Sequence, residues 1–345
     1  MGKPAAASWR RGYGPLGLSD GTVEKRFRTF DVLMNESGMR LDEFLAYKMG
    51  RFSRSQASHC IKSGAVSIEP YRQTKPGLRV RFGDRVSISQ TMVGDVPQYE
   101  DVVLLFENED FWCFDKPAGM TVHPTANIYH NTMTRYVEVV LGRKPYVVHR
   151  LDKETSGAFL MAKDPEVSRC LGEMFLTHSV QKQYEAIVYN ARNSYFPGSR
   201  RHIEIPLGLA GVVLPHMTMG AGHLPAQTEV CCDDISGHFA RLNLGLHSGR
   251  QHQIRVHLAL TGTPILGDKL YFFGEQFYKD YLDGKAVEKF LPHRHLLHAR
   301  RIAFEWRGVL CVIEAPTPML FEEVFRGSCP TAMFPTPYAS LYKSD

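Results

Sequence analysis

A polar stretch followed directly by an apolar run is the part of this sequence best suited to chemistry. Residues 148–163 read VHRLDKETSGAFLMAK, and Asp152 stands there among a His, an Arg, a Glu and a Thr-Ser-Gly turn. The small and apolar residues 158–162 predict a buried strand. A carboxylate beside such a strand is held rigidly and stays accessible, so an ionised Asp152 could attack a substrate or stabilise positive charge. The purely structural interpretation is that Asp152 caps a turn.

A helix that carries an arginine is predicted within residues 247–268, HSGRQHQIRVHLALTGTPILGD. Its apolar residues recur at helical spacing, and Gly262 ends it. Arg255 lies partway along this helix, where its charge would favour the ionised form of a neighbouring carboxylate. His252 and His257 are five positions apart, so they do not share a helix face as a zinc-binding pair at i and i+4 would.

Other kinds of chemistry have no matching motif. The sequence contains no Gly-rich dinucleotide loop, no phosphate-binding loop and no metal-ligand cluster, so we predict neither a metal nor another cofactor. Its seven cysteines include no C-x-x-C pair, which argues against a disulfide scaffold and a zinc ribbon. No run approaches the roughly 20 apolar residues of a membrane span. These features favour an intracellular protein with reduced thiols and no membrane partner.

The motif HRLD followed by two residues and TSG, at 149–157, resembles the active-site motif of the RluA family of pseudouridine synthases. These RNA-modifying isomerases convert a uridine to its carbon-linked isomer, and the resemblance implies that Asp152 is the catalytic residue. Other motifs of the family occur in the family's order: KPAG at 116–119, VHP at 122–124, K-x-Y-x-A at 182–186, A-x-T at 226–228, the Gly-Arg helix from 249 and the LHA strand at 296–306. They imply that Tyr184 lies in the active site and that Arg255 pairs with Asp152.

The resemblance also suggests how the remaining residues contribute. Tyr184 could stack on the uracil ring and help proton transfer at the ring carbon. A target base in folded RNA must be flipped out of its stack, and Arg150 is the candidate to fill the gap. We assign further substrate contacts to His149 and Arg250. The Pro and Gly of the KPAG motif form a tight turn, which predicts support of the active site instead of chemistry.

The helices and strands predicted around these residues indicate an α+β catalytic domain. Its sheet is expected to be mixed and antiparallel, with helices and loops on its flanks. Periodicity and turn residues predict strands at 102–106, 111–114, 181–190 and 239–246, and helices at 132–141 and 166–177. The resemblance to the family implies a further strand at 296–306. The Gly- and Pro-rich residues 192–225 predict hairpins and loops that decorate the domain.

A basic module precedes this domain. Residues 40–90 hold ten Lys or Arg against four Asp or Glu, although the whole chain has a net charge of only +5. Two amphipathic helices, ended by Gly64, and a strand at 65–68 are predicted there. The pattern RLD, then SR and an Ala, then I-x-x-G-x-V resembles the S4 domain, a small α/β RNA-binding module. The resemblance implies that Arg51, Arg54 and Lys62 contact structured RNA.

The domain organisation follows from these segments. With 345 residues the chain is long enough for two domains and extensions. We predict a flexible arm at 1–30, the S4-like domain at 31–92, a linker at 93–101, the catalytic domain at 102–329 and a tail at 330–345. Cytoplasmic location is expected, and Arg10 and Arg11 in the acid-poor start leave organellar targeting open.

The sequence therefore predicts an isomerase that makes pseudouridine in rRNA or tRNA without a cofactor. One alternative is a non-catalytic RNA-binding protein or ribosome-assembly factor on the same scaffold, which the presence of Asp152, Tyr184 and Arg255 disfavours. A second is a carboxylate enzyme that cleaves a glycosidic bond, for which Glu154 is the only local candidate for the proton donor. That enzyme would release a sugar or a base.

Overall fold

The computed structural model describes most of the chain, in ten stretches: 27–49, 54–62, 64–70, 73–89, 97–125, 128–190, 192–210, 216–219, 224–282 and 292–327. These residues form two compact units. The first unit holds the described residues up to Glu100 and His123–Tyr136, and the second holds Asp101–Val122 and the described residues from Val137 onward. The predicted tail, all but the end of the predicted arm, and Arg51 lie outside the described residues.

The first unit packs two helices against a three-stranded antiparallel sheet. Its elements in chain order are β1 (Phe27–Asp31), α1 (Leu41–Met49), α2 (Arg54–Lys62), β2 (Val66–Glu69) and β3 (Arg85–Ser89). Strand β3 lies between β1 and β2. The helical periodicity of the sequence is confirmed, because Leu41, Phe44 and Leu45 of α1 and Ala57 and Ile61 of α2 are buried in one core with the sheet.

The second unit is built on a mixed sheet, to which ten of the described strands belong. In chain order its elements are β4 (Val103–Glu107), β5 (Phe111–Lys116), β6 (Tyr146–Val147), β7 (Ser156–Ala162), α4 (Pro165–Leu176), β8 (Gln181–Tyr189), β9 (Arg200–Glu204), β10 (Leu207–Ala210), β11 (His216–Met219), β12 (Gln227–Ser236), β13 (Phe239–Leu246), α5 (Gln253–Leu260), α6 (Glu275–Leu282), β14 (Leu297–Trp306), β15 (Val309–Glu314) and α7 (Met319–Phe325). Helix α3 (Met133–Val139) precedes β6, and its first four residues are assigned to the first unit. The strand order is β4-β5-β7-β14-β8-β13-β12-β9, with β6 on β7 and β15 on β14.

The centre of this sheet follows from the apolar run after Asp152. All residues of β7 are buried, and β7 pairs in parallel with β14 and antiparallel with β5. Helix α4 covers the neighbouring core with Val167 and Leu171, and it begins at Pro165 with Asp164 as its N-cap. The predicted α+β class with a mixed sheet is therefore confirmed.

Residues 192–225 contain the antiparallel pair of β10 and β11, in agreement with the predicted hairpins. They also contain strand β9, which extends the main sheet and was not predicted. Residues 123–136 belong to the first unit, although the sequence places them within the catalytic domain. The domain boundaries stay predictions.

Candidate active site

The sheet brings Asp152 and Tyr184 to the same end of the central strands. Asp152 lies in the turn before β7, and β14 runs parallel to β7 with His298 opposite Ser156. On its other side His298 is opposite Glu185 of β8. Tyr184 precedes Glu185, so the start of β7 and the middle of β8 are both fixed against the start of β14.

Arg255 holds the carboxylate of Asp152. Its Nη1 donates a hydrogen bond of 2.8 Å to Asp152 Oδ2, across 103 positions of the chain. Asp152 Oδ1 makes no hydrogen bond or ion pair with any residue that the structure describes, and the side chain is 27 % exposed. One oxygen is therefore used for positioning, and the other carries no hydrogen bond to a described residue on a side chain that is partly exposed.

Asp268, which the sequence analysis did not single out, fixes the arginine in turn. Arg255 Nε and Nη2 donate to the two oxygens of Asp268 at 2.6 and 3.0 Å. Asp268 is fully buried, and its Oδ1 also accepts from the backbone amides of Leu270 and Tyr271. The bidentate geometry leaves the guanidinium little freedom, so its remaining Nη1 points at Asp152.

The charges of this cluster support an ionised Asp152. Burial alone would raise the pKa of Asp152, but the electrostatic influence of His252 and of the Arg255 guanidinium outweighs burial and holds that pKa below its ordinary value. Burial would likewise lower the pKa of Arg255, yet Asp268 and Asp152 raise it well above the ordinary value. At neutral pH the site therefore holds a carboxylate beside a permanent cation.

His252 closes the cluster on another side. It is the N-cap of α5 and has a left-handed backbone with φ of 54°, a conformation that is uncommon for a non-glycine residue. This conformation places His252 Nε2 3.7 Å from Asp152 Oδ2, while His252 Nδ1 is 3.0 Å from the hydroxyl of Tyr271. The spacing of His252 and His257 argued only against a zinc pair, and nothing in the sequence indicated that His252 lies beside Asp152.

Tyr184 is buried in β8, on the strand that the sequence predicts. Burial, reinforced by the negative charge of Asp152, raises the pKa of its phenol, so the phenol stays protonated at neutral pH. Its hydroxyl makes no hydrogen bond to any described residue. The phenol is therefore available for a ligand next to the charged cluster.

The turn after Asp152 is fastened by side chains from β14 and from the segment before it. Thr155 Oγ1 is 2.8 Å from His295 Nε2, and Ser156 Oγ is 2.9 Å from His298 Nδ1. Gly157 has φ of +114°, and a Cβ there would overlap the backbone of Ala299. Because only glycine permits this close approach, the Thr-Ser-Gly part of the motif serves to seat the turn on β14.

The KPAG motif supports the same turn through hydrogen bonds to its backbone. Lys116 is fully buried, and its Nζ donates to the carbonyl oxygens of Pro117, Met120 and Lys153. The amide of Gly119 donates to the carbonyl oxygen of Lys153 as well, at 2.8 Å. These contacts give the motif the supporting function that its Pro and Gly predict.

Glu154, the candidate proton donor of the glycosidic alternative, is fully engaged. Its Oε1 accepts from the ammonium group of Lys269, and its Oε2 accepts from the amide of His295. Both oxygens of Glu154 therefore already accept hydrogen bonds from neighbouring residues of this chain. This arrangement gives no support to Glu154 as the proton donor of the glycosidic alternative.

The residues predicted to contact RNA are mostly on the surface. Arg150 is exposed and makes no side-chain bond to a described residue. Arg250 donates from Nε to the carbonyl of Pro225. In the first unit Lys62 is exposed, and Arg54 pairs with Asp42 and Glu43. These RNA contacts stay predictions.

His149, also predicted to contact substrate, has a structural environment. Its Nε2 accepts a 2.9 Å hydrogen bond from the amide of Leu160, and its ring stacks on Phe175 with centroids 4.4 Å apart. Burial, with a smaller contribution from the charge of Lys182, lowers its pKa to about 3. The imidazole is therefore neutral and supports β7, and its contact with RNA stays a prediction.

We expect this neutral histidine to make the fold sensitive to mild acid. A histidine whose pKa is lowered by folding stabilises the fold fully above its unfolded value of about 6.5, and this stabilisation is lost as the pH falls toward the folded value. His149→Phe keeps the stacking but removes the titration. Between pH 7 and pH 5 the variant is expected to lose about 1–2 kcal/mol less unfolding free energy than the wild type in urea denaturation.

The control for this experiment is His178→Asn, at an exposed histidine just after α4 with φ of 59°, a backbone conformation that asparagine tolerates. This variant is expected to keep the pH dependence of the wild type. Equal pH dependence in His149→Phe and the wild type would show that the His149 ring is not held neutral by the fold.

Neither a metal-binding cluster nor a membrane-spanning helix occurs among the residues that the structure describes. No group of three or more His, Cys, Asp or Glu among them is arranged to hold a metal ion. None of the described helices is both long and apolar enough to cross a membrane. The site is thus a cluster of paired charges around one accessible carboxylate, the arrangement expected of an enzyme that attacks or stabilises an electron-poor carbon.

Comparison with known proteins identifies this enzyme class. Residues 110–260 match the RNA pseudouridylate synthase family, and residues 39–86 match the S4 domain. The chain is 32 % identical to ribosomal large subunit pseudouridine synthase D of Xanthomonas campestris pv. campestris, over 82 % of this chain and 86 % of that protein. It is 31 % identical to the protein of the same name from Yersinia pestis, over 70 % and 75 % of the two chains.

The fold agrees with these matches. The solved structure of human RNA pseudouridylate synthase domain containing 1 superposes with a TM-score of 0.51 at 21 % identity, covering 65 % of this chain and 86 % of that one. The chain belongs to the RNA pseudouridylate synthase family, and its activity is the isomerisation of uridine in RNA. The RluA-type motifs and the S4 pattern in the sequence predicted both matches.

Proposed function

We propose that this protein makes pseudouridine in the RNA of the large ribosomal subunit and that Asp152 is its catalytic residue. The observation that carries the catalytic assignment is the asymmetry of the carboxylate: Arg255 binds Oδ2 at 2.8 Å, and no described residue bonds to Oδ1. The choice of RNA rests on the relatives, whose names specify the large ribosomal subunit.

The proposed reaction detaches uracil from its ribose and rejoins it through a ring carbon. Asp152, kept ionised by Arg255, supplies a nucleophile or a negative charge at the reacting carbon. Tyr184 contributes a protonated phenol and a ring face beside the base, suited to stacking and to proton transfer at the ring carbon. The reaction neither adds a group to the RNA nor removes one. The paired charges of the site therefore need only position the uridine and stabilise the charge that develops at the reacting carbon.

Binding of structured RNA is assigned to the S4 domain as well as to the catalytic unit. The basic excess of residues 40–90 predicts affinity that falls steeply with salt. Arg51, Arg54 and Lys62 are the proposed contacts in this domain, and His149 and Arg250 remain proposed contacts in the catalytic domain. An rRNA substrate places the proposed activity in the cytoplasm, and organellar targeting by residues 1–30 would place it on organellar rRNA.

The experiment that tests the function uses purified full-length protein and total RNA from cells that lack it. Pseudouridines are mapped after incubation with and without protein. We expect new sites in large-subunit rRNA. New sites confined to tRNA would overturn the proposed substrate, and salt-dependent RNA binding without any new site would favour the non-catalytic assembly factor.

Arg150→Ala is expected to slow the reaction without weakening the fold. The side chain is exposed and unbonded to the described residues, so the unfolding free energy should change by no more than about 0.5 kcal/mol. If Arg150 offsets about 1.4–3 kcal/mol of unstacking, the rate should fall about 10- to 160-fold in single-turnover kinetics on structured RNA. On an unstructured oligonucleotide the deficit should shrink, because no stack has to be opened.

Arg169→Ala provides the matched control, since Arg169 is an arginine of similar exposure on α4 that pairs with Glu166. It is expected to keep the wild-type rate on both RNAs. An Arg150→Ala deficit of equal size on structured and unstructured RNA would contradict a function in base flipping.

A further inference from the structure

Lys269 is a buried cation close to the catalytic turn that no motif of the sequence identifies. It is only 4 % exposed, and its Nζ donates to the carboxylate of Glu154 and, at 2.6 Å, to the carbonyl oxygen of His293. The ring of Tyr281 on α6 lies 5.0 Å from the same ammonium group. A lysine is rarely buried unless it is paired, so these contacts account for its position.

The partner of this lysine is two residues beyond Asp152. Glu154 is held at three points: its Oε1 by Lys269, its Oε2 by the amide of His295 at 3.2 Å, and its carbonyl oxygen by Arg294 Nη1 at 3.1 Å. The intervening turn is short, because the amide of Thr155 donates to the carbonyl oxygen of Asp152. A shift of Glu154 would therefore move the carboxylate of Asp152.

Asp268, the residue before Lys269, fixes the arginine that holds Asp152. Asp268 binds Arg255 through two hydrogen bonds, and Arg255 binds Asp152. The two consecutive side chains thus bind two different neighbours of Asp152: Asp268 binds Arg255, and Lys269 binds Glu154. Gly267 precedes them with φ of +78°, and a Cβ there would overlap the carbonyl oxygen of Arg294. This close approach fixes the backbone from which both side chains extend.

We propose that Lys269 is a positioning residue for the isomerisation and acts with Asp268 as a two-residue clamp. Asp268 sets the position of Arg255, and Lys269 sets the position of the turn that carries Asp152. The distance between the guanidinium and the reacting carboxylate is then fixed by one rigid dipeptide. The proposal rests on the proposed function of Asp152, and it assigns to Lys269 no contact with substrate.

Lys269→Met, Glu154→Gln and the double variant test the clamp. At saturating RNA, and per folded molecule, we expect kcat of each single variant to fall about 10- to 100-fold while KM stays within about twofold, since misplacement by about 1 Å can cost about 100-fold in rate. The double variant is expected to be no slower than the slower single variant, because both substitutions break the same contact.

The matched control is Arg241→Met, which breaks another partly buried ion pair of the same unit, between Arg241 and Glu322. It should lower stability and leave kcat within about twofold. A kcat of Lys269→Met near that of the wild type, an equal kcat loss in Arg241→Met, or multiplicative losses in the double variant would each overturn the clamp.

A second measurement does not depend on turnover. Hydrogen exchange, followed by mass spectrometry, reports on the amide of Thr155, which bonds to the carbonyl oxygen of Asp152. We expect about tenfold faster exchange in the peptide around Thr155 in Lys269→Met and wild-type exchange there in Arg241→Met. If the wild type proves inactive on every RNA, the proposed function fails, and the exchange data alone test the clamp. Unchanged exchange in Lys269→Met would then overturn the clamp.

Discussion

Asp152→Asn is expected to lower the rate of pseudouridine formation by roughly 10⁴-fold or more, the order of effect seen when a catalytic nucleophile is removed. Asparagine keeps the shape of the side chain and an oxygen that can accept from Arg255. It removes the negative charge and the open carboxylate oxygen on which the proposed chemistry depends. The measurement is single-turnover kinetics on the RNA identified by pseudouridine mapping.

The fold of this variant should survive, which makes its activity interpretable. Arg255 keeps its two hydrogen bonds to Asp268, so no buried cation is left without a carboxylate. RNA affinity measured by filter binding is expected to stay within about threefold of the wild type, because the proposed basic contacts are unchanged. Loss of affinity in parallel with rate would instead indicate a damaged structure.

Asp110→Asn is the control for a comparable carboxylate elsewhere in the same unit. Asp110 accepts from Trp306 Nε1 and Arg307 Nη2, each at 2.8 Å. Its replacement removes an equally short bond between an aspartate and an arginine, and the rate is expected to stay near that of the wild type. A rate for Asp152→Asn above about 1 % of wild type would contradict catalysis by this carboxylate.

The sequence predicts most of the elements because local pattern decides them. The alternation at 239–246 matches strand β13, Phe239–Leu246, and the helical pattern at 166–177 matches α4, Pro165–Leu176. Each has one apolar face that must be buried, so residue spacing carries the information. Helices α6, Glu275–Leu282, and α7, Met319–Phe325, were not predicted.

Pairings across the sheet depend on information of another kind. Asp152 and Arg255 are far apart in the sequence, and the spacing of residues contains no signal that they meet. The resemblance to a family supplied that prediction, and the structure brings the two side chains together. For His149 the motif suggested substrate contact, whereas the fold uses its ring to bond the backbone of β7.

Asp268 and Lys269 show what residue patterns leave out. A buried arginine requires a partner, but the sequence has 36 acidic residues and does not specify which one Arg255 meets. One signal was available in the sequence. Asp268 follows a short apolar run and a glycine, so its carboxylate is expected at the edge of the core. Asp152 has a similar position, because a buried strand follows it. Only the turn between α5 and α6 selects Asp268 over the other candidates.

Asp268→Asn is expected to weaken both the fold and the reaction. The carboxylate is fully buried and accepts two hydrogen bonds from Arg255. An asparagine would turn its amide donors toward guanidinium donors and leave the buried cation with Asp152 alone. Breaking a buried ion pair costs about 3–5 kcal/mol. The unfolding free energy at pH 7 should fall by this amount, and kcat per folded molecule should fall at least about 100-fold.

Glu185→Gln separates loss of stability from loss of the site. Glu185 is also a buried carboxylate near two arginines, Arg241 and Arg300, each 3.7 Å away, and it accepts from the hydroxyl of Thr317. Its replacement is expected to destabilise the unit and to change kcat by no more than about threefold. If Asp268→Asn lowers stability without lowering kcat, Arg255 does not need Asp268 to orient it toward Asp152.

The pH dependence provides a test of the electrostatics of Asp268. Burial opposes its ionisation, but the charge and hydrogen bonds of Arg255 outweigh burial and hold its pKa well below the ordinary value of 3.8. Such a group stabilises the fold fully above pH 3.8, and the stabilisation is lost as the pH falls through the lower folded value. The difference in unfolding free energy between wild type and Asp268→Asn should therefore be constant from pH 7 to pH 5 and shrink at pH 3. A difference that grows on acidification would mean that Asp268 is protonated in the fold, and the bidentate pair could then not be what orients Arg255.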